Sequence, residues 1–222
     1  MRKINLLIII TITLFAQVSF SKSKLSAIPW ELFTDKDGIE IFTPKNYTHE
    51  TGIVPIKFKT IINDNISKVV TVLADDGRKT EWLPKLKGSK TVEIISKTDA
   101  VTYYIYESPW PFSDRDFLIT SSGKFNYETK ELYVEMKSIK EHSNFKPNPD
   151  ATRGFSHDGY VRVKFLDENR TELEMAFLNE FGGFIPSFVI NLVQKKWPYI
   201  FMTNLSIQLK KKDIVIDPKF KI

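Results

Sequence analysis

The chain has 222 residues, of which 42% are hydrophobic and 27% charged, which fits one ordinary globular domain of upper-middle size with a substantial core. It contains no cysteine. That excludes disulfides, thiol nucleophiles, thiolate metal sites and acylation at an N-terminal cysteine. The formal net charge is +5, and without Arg2 and Lys3 the balance is 30 basic against 27 acidic groups, about +3. This is too small an excess to argue for nucleic acid as a partner.

Residues 1–21, MRKINLLIIITITLFAQVSFS, carry Arg2 and Lys3, then an apolar run from Leu6 to Phe15, then small and polar residues. That is the pattern of a secretory signal peptide. Its apolar core of about 10 residues falls well short of the roughly 20 that a bilayer-spanning helix needs. The mature chain is therefore expected to begin near Lys22 and to act in the periplasm or outside the cell. Neither a Ser/Gly linker nor an internal repeat divides residues 22–210, so they read as a single domain. Beyond them the Lys-rich stretch 211–222 reads as a solvated basic tail.

Period-2 alternation dominates the domain. In IVPIKFKTII (53–62), Val54, Ile56, Phe58 and Ile62 fall on one side and Lys57 and Lys59 on the other. A small helix follows in NISKVVTVLADDG (65–77), with an Asn or Ser cap, Val69, Val70 and Leu73 at helical spacing, and a stop at Gly77; a short helical turn can follow in GRKTEWLP. Alternation then returns at Leu132, Val134 and Met136, at Val161, Val163 and Phe165, and at Leu173, Met175 and Phe177. Strands with one apolar and one wet face make an antiparallel sheet, and FNYETKEL and LDENRTEL supply tight turns between neighbours. From Pro186 a long C-terminal helix is predicted, with an apolar stripe of Phe188, Val189, Leu192 and Val193 continued by Tyr199, Met202 and Leu205. Pro198 is expected to kink or split it. The order is two or three strands, a helical insert, about six more strands and one long helix. In this α+β arrangement only the last helix is long enough to cover the apolar face of the sheet, and the interior between them is either core or cavity.

Searches for enzyme chemistry return little. Ser156, His157 and Asp158 are triad residue types, but consecutive residues diverge and cannot form a hydrogen-bond relay. His49, His142 and His157 lack metal-ligand spacing, and HExxH, GxSxG, P-loop and GxGxxG motifs do not occur. No metal or cofactor is implied.

Two stretches carry more information. SPWPFSDRDF (108–117) packs two prolines, a tryptophan and a phenylalanine into a connection that ends in three alternating charges, and NEFGGFIPSFVIN (179–191) leads into the last helix. The first resembles the P-x-P-x-x-x-RD-F/Y loop, and the second the D/E-x-GG-x-IP-x-x-x-x-N stretch, of the StAR-related lipid-transfer (START) domains of the helix-grip superfamily. With WELFTDKDGIEIFTP near the mature N-terminus, the resemblance spans nearly all of residues 28–210. It implies a helix-grip fold: a curved antiparallel sheet closed by the C-terminal helix around a hydrophobic tunnel that holds one lipid-like molecule. The loop 108–114 and the C-terminal helix would gate the tunnel.

Under that resemblance the tunnel and lid are expected to draw on Tyr104, Tyr106, Trp110, Phe112, Phe117, Ile119, Ser121, Phe155, Phe177, Asn179, Phe184, Ile185, Phe188, Val189 and Leu192. Arg115 and Asp116 would serve as structural anchors. Two readings of the loop stay open: Trp110 and Phe112 plug the end of the sheet, or they form an apolar lip that touches ligand or dips transiently into a membrane surface. Many members carry a second arginine six positions after the first, where this chain has Ser121, and an uncharged hydroxyl cannot neutralise a phosphate. The preferred expectation is a monomeric carrier of one hydrophobic small molecule or lipid. The alternative is an aromatase/cyclase-type enzyme using the same cavity.

Overall fold

The structure, a computed structural model, describes residues 22–221; the expected signal peptide lies outside the described residues. Strands β1 (Trp30–Lys36) and β2 (Ile39–Pro44) form a hairpin across Asp37 and Gly38, both at positive φ (56° and 72°). An Asp-Gly pair is suited to this turn, because the glycine has no Cβ to clash there. Strand β3 (Ile56–Ile62) follows, and it starts two residues after Val54. Helix α1 (Ile66–Ala74) is capped by the Asn65 side chain, which accepts the Ser67 amide at 2.9 Å. A 3-10 turn at Lys79–Glu81 then leads to β4 (Leu86–Ile94), β5 (Asp99–Tyr106), β6 (Arg115–Asn126), β7 (Glu131–Ser138), the two-residue β8 (Thr152–Arg153), β9 (Phe155–Asp167) and β10 (Arg170–Glu180). The long helix α2 (Ser187–Leu209) closes the domain.

The strands run in the order β1-β2-β3-β10-β9-β7-β6-β5-β4, all antiparallel, with β8 alone pairing in parallel with β6. Register carries one inner face across this sheet. Phe58 lies opposite Met175, Met175 opposite Val161, and Val161 opposite Val134. Further along, Met136 lies opposite Ser121, Ile119 opposite Thr102, and Phe117 opposite Tyr104, which in turn faces Ser89. Directly opposed residues share a face. The inner face thus grades from aliphatic and aromatic at β3 and β10 to mixed hydroxyl and aromatic at β4–β6.

The C-terminal half of α2 packs on the apolar end of that face. Trp197 meets Phe177 edge-on with ring centroids 5.4 Å apart, and Phe201 meets Phe58 and Trp82 at 5.8 and 5.4 Å. Phe201, Met202, Leu205 and Leu209 are buried with α1, β2 and β3, each contributing about 1.5–3 kcal/mol of burial. Pro198 neither splits nor ends α2: it is buried within a helix that continues for eleven residues beyond it, to Leu209.

The helix phase departs from the predicted stripe. The buried positions are Ile190, Gln194, Pro198, Phe201, Met202, Leu205, Gln208 and Leu209, whereas Phe188, Leu192 and Val193 are exposed. The cause is helical geometry: counting back from Phe201 in steps of 3.6 residues reaches 197, 194 and 190. The core at the C-terminal end sets the rotation, which buries Ile190 and carries Phe188, Leu192 and Val193 to the outside.

The opposite face of the sheet is covered by irregular segments. Residues 22–29 lay Leu25 beside Tyr133 and Tyr160, whose rings stack at 5.2 Å, and the Leu25 amide donates to Asp158 at 3.2 Å. The 139–151 connection brings Phe145 onto Tyr103 at 4.5 Å. The basic C-terminal stretch is tied back to the domain. Arg78 pairs with Asp213 at 3.0 Å, Lys211 with Glu81 at 2.7 Å, and the Asp217 amide donates to the Thr71 hydroxyl at 3.1 Å.

Candidate functional site

Alternation along β5 and β6 turns Tyr104, Tyr106, Phe117, Ile119 and Ser121 to the inner face. Tyr106 and Phe117 meet edge-on at 5.9 Å, and Phe117 meets Phe181 the same way at 5.9 Å. Gly154 makes room for this stack: a Cβ there would lie 2.3 Å from the Phe117 ring. Burial pushes the phenols of Tyr104 and Tyr106 far above the ordinary tyrosine range, so both remain neutral donors at physiological pH. The Ser121 hydroxyl donates to the Ala100 carbonyl at 3.3 Å.

A polar group that the sequence did not flag adjoins Tyr104. Asp76, just past α1, is paired with Lys79 and accepts from Thr91 at 2.7 Å, Thr102 at 3.0 Å and Tyr104 at 3.3 Å. Burial alone would raise its pKa; the charge of Lys79 and the bonds from Lys79, Thr91 and Thr102 outweigh it and hold the carboxyl below its ordinary value. Carboxylate and ammonium cancel, so this corner of the interior carries no net charge.

Arg115 begins β6 and is 3% exposed. Its guanidinium donates to the carbonyls of Ser113, Phe181 (3.2 Å) and Gly182 (3.4 Å), and its carbon lies 5.6 Å from the Phe112 ring centre. One side chain thus joins the loop before β6 to the loop before α2. Gly182, at φ 63°, passes against the Arg153 carbonyl, where a Cβ would sit 2.3 Å away. Asp116 points to the other face and is buried: Arg153 donates to it at 2.7 and 3.1 Å and the Tyr103 hydroxyl at 2.9 Å. Burial, reinforced by that bond, pushes the Tyr103 phenol up to about 12. Asp114 receives Lys87 at 2.8 Å and the Ser108 amide at 3.3 Å, which fixes the base of the loop.

At the rim the large apolar side chains face solvent. Trp110, joined to Pro111 by a cis peptide, is 93% exposed, Phe184 is 99% and Phe188 72%, and Phe112 and Leu192 are exposed as well. Phe184, Phe188 and Leu192, predicted among the tunnel and lid residues, therefore form an outward surface and do not line the interior. Ile185 and Val189 are half-buried, Ile185 against the cluster that includes Ile190. Phe155, predicted as a tunnel residue, lies opposite Glu180 and therefore on the outer face of the sheet, because its neighbours Gly154 and Ser156 take the inner side, and it meets His157 edge-on at 5.1 Å. Asn191, the last residue of the NEFGGFIPSFVIN stretch, ties the first turns of α2 to the segment before β3, accepting from the Val54 amide at 3.0 Å and donating to Gly52 at 3.3 Å.

Ser156, His157 and Asp158 do diverge. His157 is the extra residue at a bulge of β9 against β10 and pairs with Glu180 at 2.8 Å, its ring tilted against that of His49 at 4.3 Å, while Asp158 accepts the Leu25 and Gly159 amides. Phe177 and Asn179 alternate onto the inner face of β10, and the Asn179 Oδ1 is buried with no hydrogen-bond partner.

The START domain profile matches residues 15–202, which contain both diagnostic stretches and all ten strands of the sheet. The chain belongs to the START domain family. Solved START structures share its fold at low identity. Human STARD10 superposes with a TM-score of 0.75 at 16% identity, covering 82% of this chain and 74% of that one. Human StAR-related lipid transfer protein 5 gives 0.73 at 21%, covering 82% and 86%. A STAR-related lipid transfer protein fragment (25–204) from Xanthomonas axonopodis gives 0.70 at 18%, covering 82% and 99%. No curated protein matches the chain. The helix-grip architecture expected from the sequence is thus that of this START domain, and hydrophobic ligand binding is the activity the family supports.

Proposed function

We propose that this START domain carries a single lipid-like molecule in the interior between the sheet and α2, with the loop 108–114 and the first turns of α2 as its gate. The observation that most supports this is the apolar rim. Trp110, Phe112, Phe184, Phe188 and Leu192 expose large side chains on two segments that Arg115 fastens together. Isolated exposed apolar residues are ordinary, but aromatics gathered at the entrance to an interior suit contact with a membrane surface. Inside, the phenols stay neutral and the Asp76–Lys79 charges cancel, so the ligand is held mainly by buried apolar area, at roughly 25 cal/mol per Å². The START domain match and the likeness to lipid transfer proteins support a carrier over a cyclase-type enzyme.

The protein is proposed to act as a monomer in the periplasm or outside the cell, after cleavage near Lys22. Purification of the mature form followed by native mass spectrometry, solvent extraction and lipidomics tests the carrier reading. The expected result is one unmodified lipid per chain and its transfer between vesicles. A protein that extracts no lipid, or that converts a polyketide-like substrate, overturns it.

A further inference from the structure

Buried polar groups in folded proteins are almost always hydrogen-bonded, so an amide with no partner points to something that completes it. Gln194 is such a group. It is 3% exposed on the buried face of α2, between Ile190 and Pro198, and neither its Oε1 nor its Nε2 has a hydrogen-bond partner. An apolar residue at this position would remove that cost, since the flanking buried positions of the helix are apolar.

The Phe177–Trp197 contact relates its position to that of Asn179. Trp197 and Phe177 are in ring contact, joining α2 to the inner face of β10. Gln194 lies three residues from Trp197 toward the start of α2, and Asn179 lies two residues from Phe177 toward the end of β10. The short 181–186 connection joins those two ends, so both amides lie on the entrance side of the Phe177–Trp197 contact, one on the helix wall and one on the sheet wall. Asn179 Oδ1 is likewise buried and unpartnered. Lys79, the interior ammonium beside Tyr104, is already matched by Asp76.

We infer that Gln194 and Asn179 form a head-group clamp that selects ligands bearing an uncharged group able both to donate and to accept hydrogen bonds, such as a hydroxyl or a carboxamide. This rests on the carrier reading and specifies its ligand class. Gln194 Nε2 donates to the ligand oxygen; a carboxamide can place its two N–H groups on Gln194 Oε1 and Asn179 Oδ1, whereas the single O–H of a hydroxyl donates to one of them. An anionic phosphate is disfavoured, because the two acceptor oxygens would face its charge and the pair supplies no cation to offset it.

Matched probes test the clamp: cholesterol against cholestane, and octadecanamide against octadecane, each displacing the neutral dye Nile red from the mature protein, with dioleoylphosphatidate as the charged comparison. The expected result is preference for at least one polar member over its hydrocarbon by about tenfold or more, the worth of one buried hydrogen bond. Gln194→Leu should abolish that preference, with each probe read against that variant's own Nile red affinity, and should raise the melting temperature of the ligand-free protein. The rise in stability separates a clamp from a structural residue, whose loss would lower it. If the wild type binds the hydrocarbons equally well, or prefers phosphatidate, or if Gln194→Leu keeps the discrimination, the clamp is overturned and the carrier reading stands. Binding of none of the probes or the dye overturns both.

Discussion

Arg115→Ala tests how the entrance is held. The side chain is 3% exposed and gives charge-assisted bonds to the Ser113 and Phe181 carbonyls, with a longer one to Gly182 at 3.4 Å. A hydrogen bond to a charged group contributes roughly 1.5–3 kcal/mol, so two good bonds amount to about 3–6 kcal/mol. Against this, burial of the guanidinium carries a cost, visible in the lowering of its pKa by desolvation. A net loss of about 3 kcal/mol is expected. For a domain of this size that is a fall in Tm of about 6–12 °C, at about 2–4 °C per kcal/mol. Arg115→Lys should recover only part of it, because an ammonium cannot reach carbonyls on two loops with a planar fork. Differential scanning calorimetry gives the size of the loss, and hydrogen exchange gives its place: amides of 108–114 and 181–186 should lose protection ahead of the β3–β10 core. A Tm within 2 °C of the wild type, with unchanged exchange in both loops, would refute the role of Arg115 as the pin between them.

Trp110→Ala and Phe188→Ala remove side chains that already face water, so each should shift stability by less than about 0.5 kcal/mol while slowing lipid transfer from vesicles severalfold; a collapse in Tm with normal transfer would show that these rings support the fold. Gly182→Ala should cost roughly 2–4 kcal/mol, combining a Cβ 2.3 Å from the Arg153 carbonyl with a left-handed φ of 63°, and urea denaturation measures it. Asp76 has a folded pKa below its ordinary 3.8, so its ionised form stabilises the fold above that value, and the contribution is lost as pH falls through the folded pKa. Asp76→Asn should therefore be less stable than the wild type at pH 7, with the gap in Tm narrowing below about pH 4; a gap independent of pH would remove Asp76 from the list of stabilising carboxylates.

The sheet was readable because each strand has one wet face. Lys57 and Lys59 against Phe58 and Ile62, or Glu172 and Glu174 against Leu173 and Met175, leave only one way to orient the chain, since a slip by one residue would bury the charges. Helix α1 was readable from Asn65 and the Val69–Val70–Leu73 spacing. The two-residue β8 was not, because Thr152 and Arg153 carry no periodicity and pair with β6 only through the long 139–151 connection. The docked C-terminal stretch also escaped notice: its lysines suggest solvent, and the contacts that hold it, Asp213 to Arg78 and the Asp217 amide to Thr71, join residues about 140 positions apart.

The rotation of α2 was hidden for a reason that bears on function. Its first two turns offer an apolar stripe of their own, Phe188, Val189, Leu192 and Val193, out of phase with the stripe that Phe201, Met202, Leu205 and Leu209 bury. A helix serving only as a cover would keep one phase, because every exposed large apolar side chain forgoes about 1.5–3 kcal/mol of burial. Here the C-terminal half is locked by the core and the N-terminal half leaves Phe188, Leu192 and Val193 on the surface, while its buried face carries Gln194 where an apolar residue would pack better. Both departures lie in the same turns, which Asn191 and the Arg115-bound loop hold in place. An outer face suited to lipid surface and an inner face suited to a polar head group are what a gate needs if it must meet the membrane on one side and the cargo on the other.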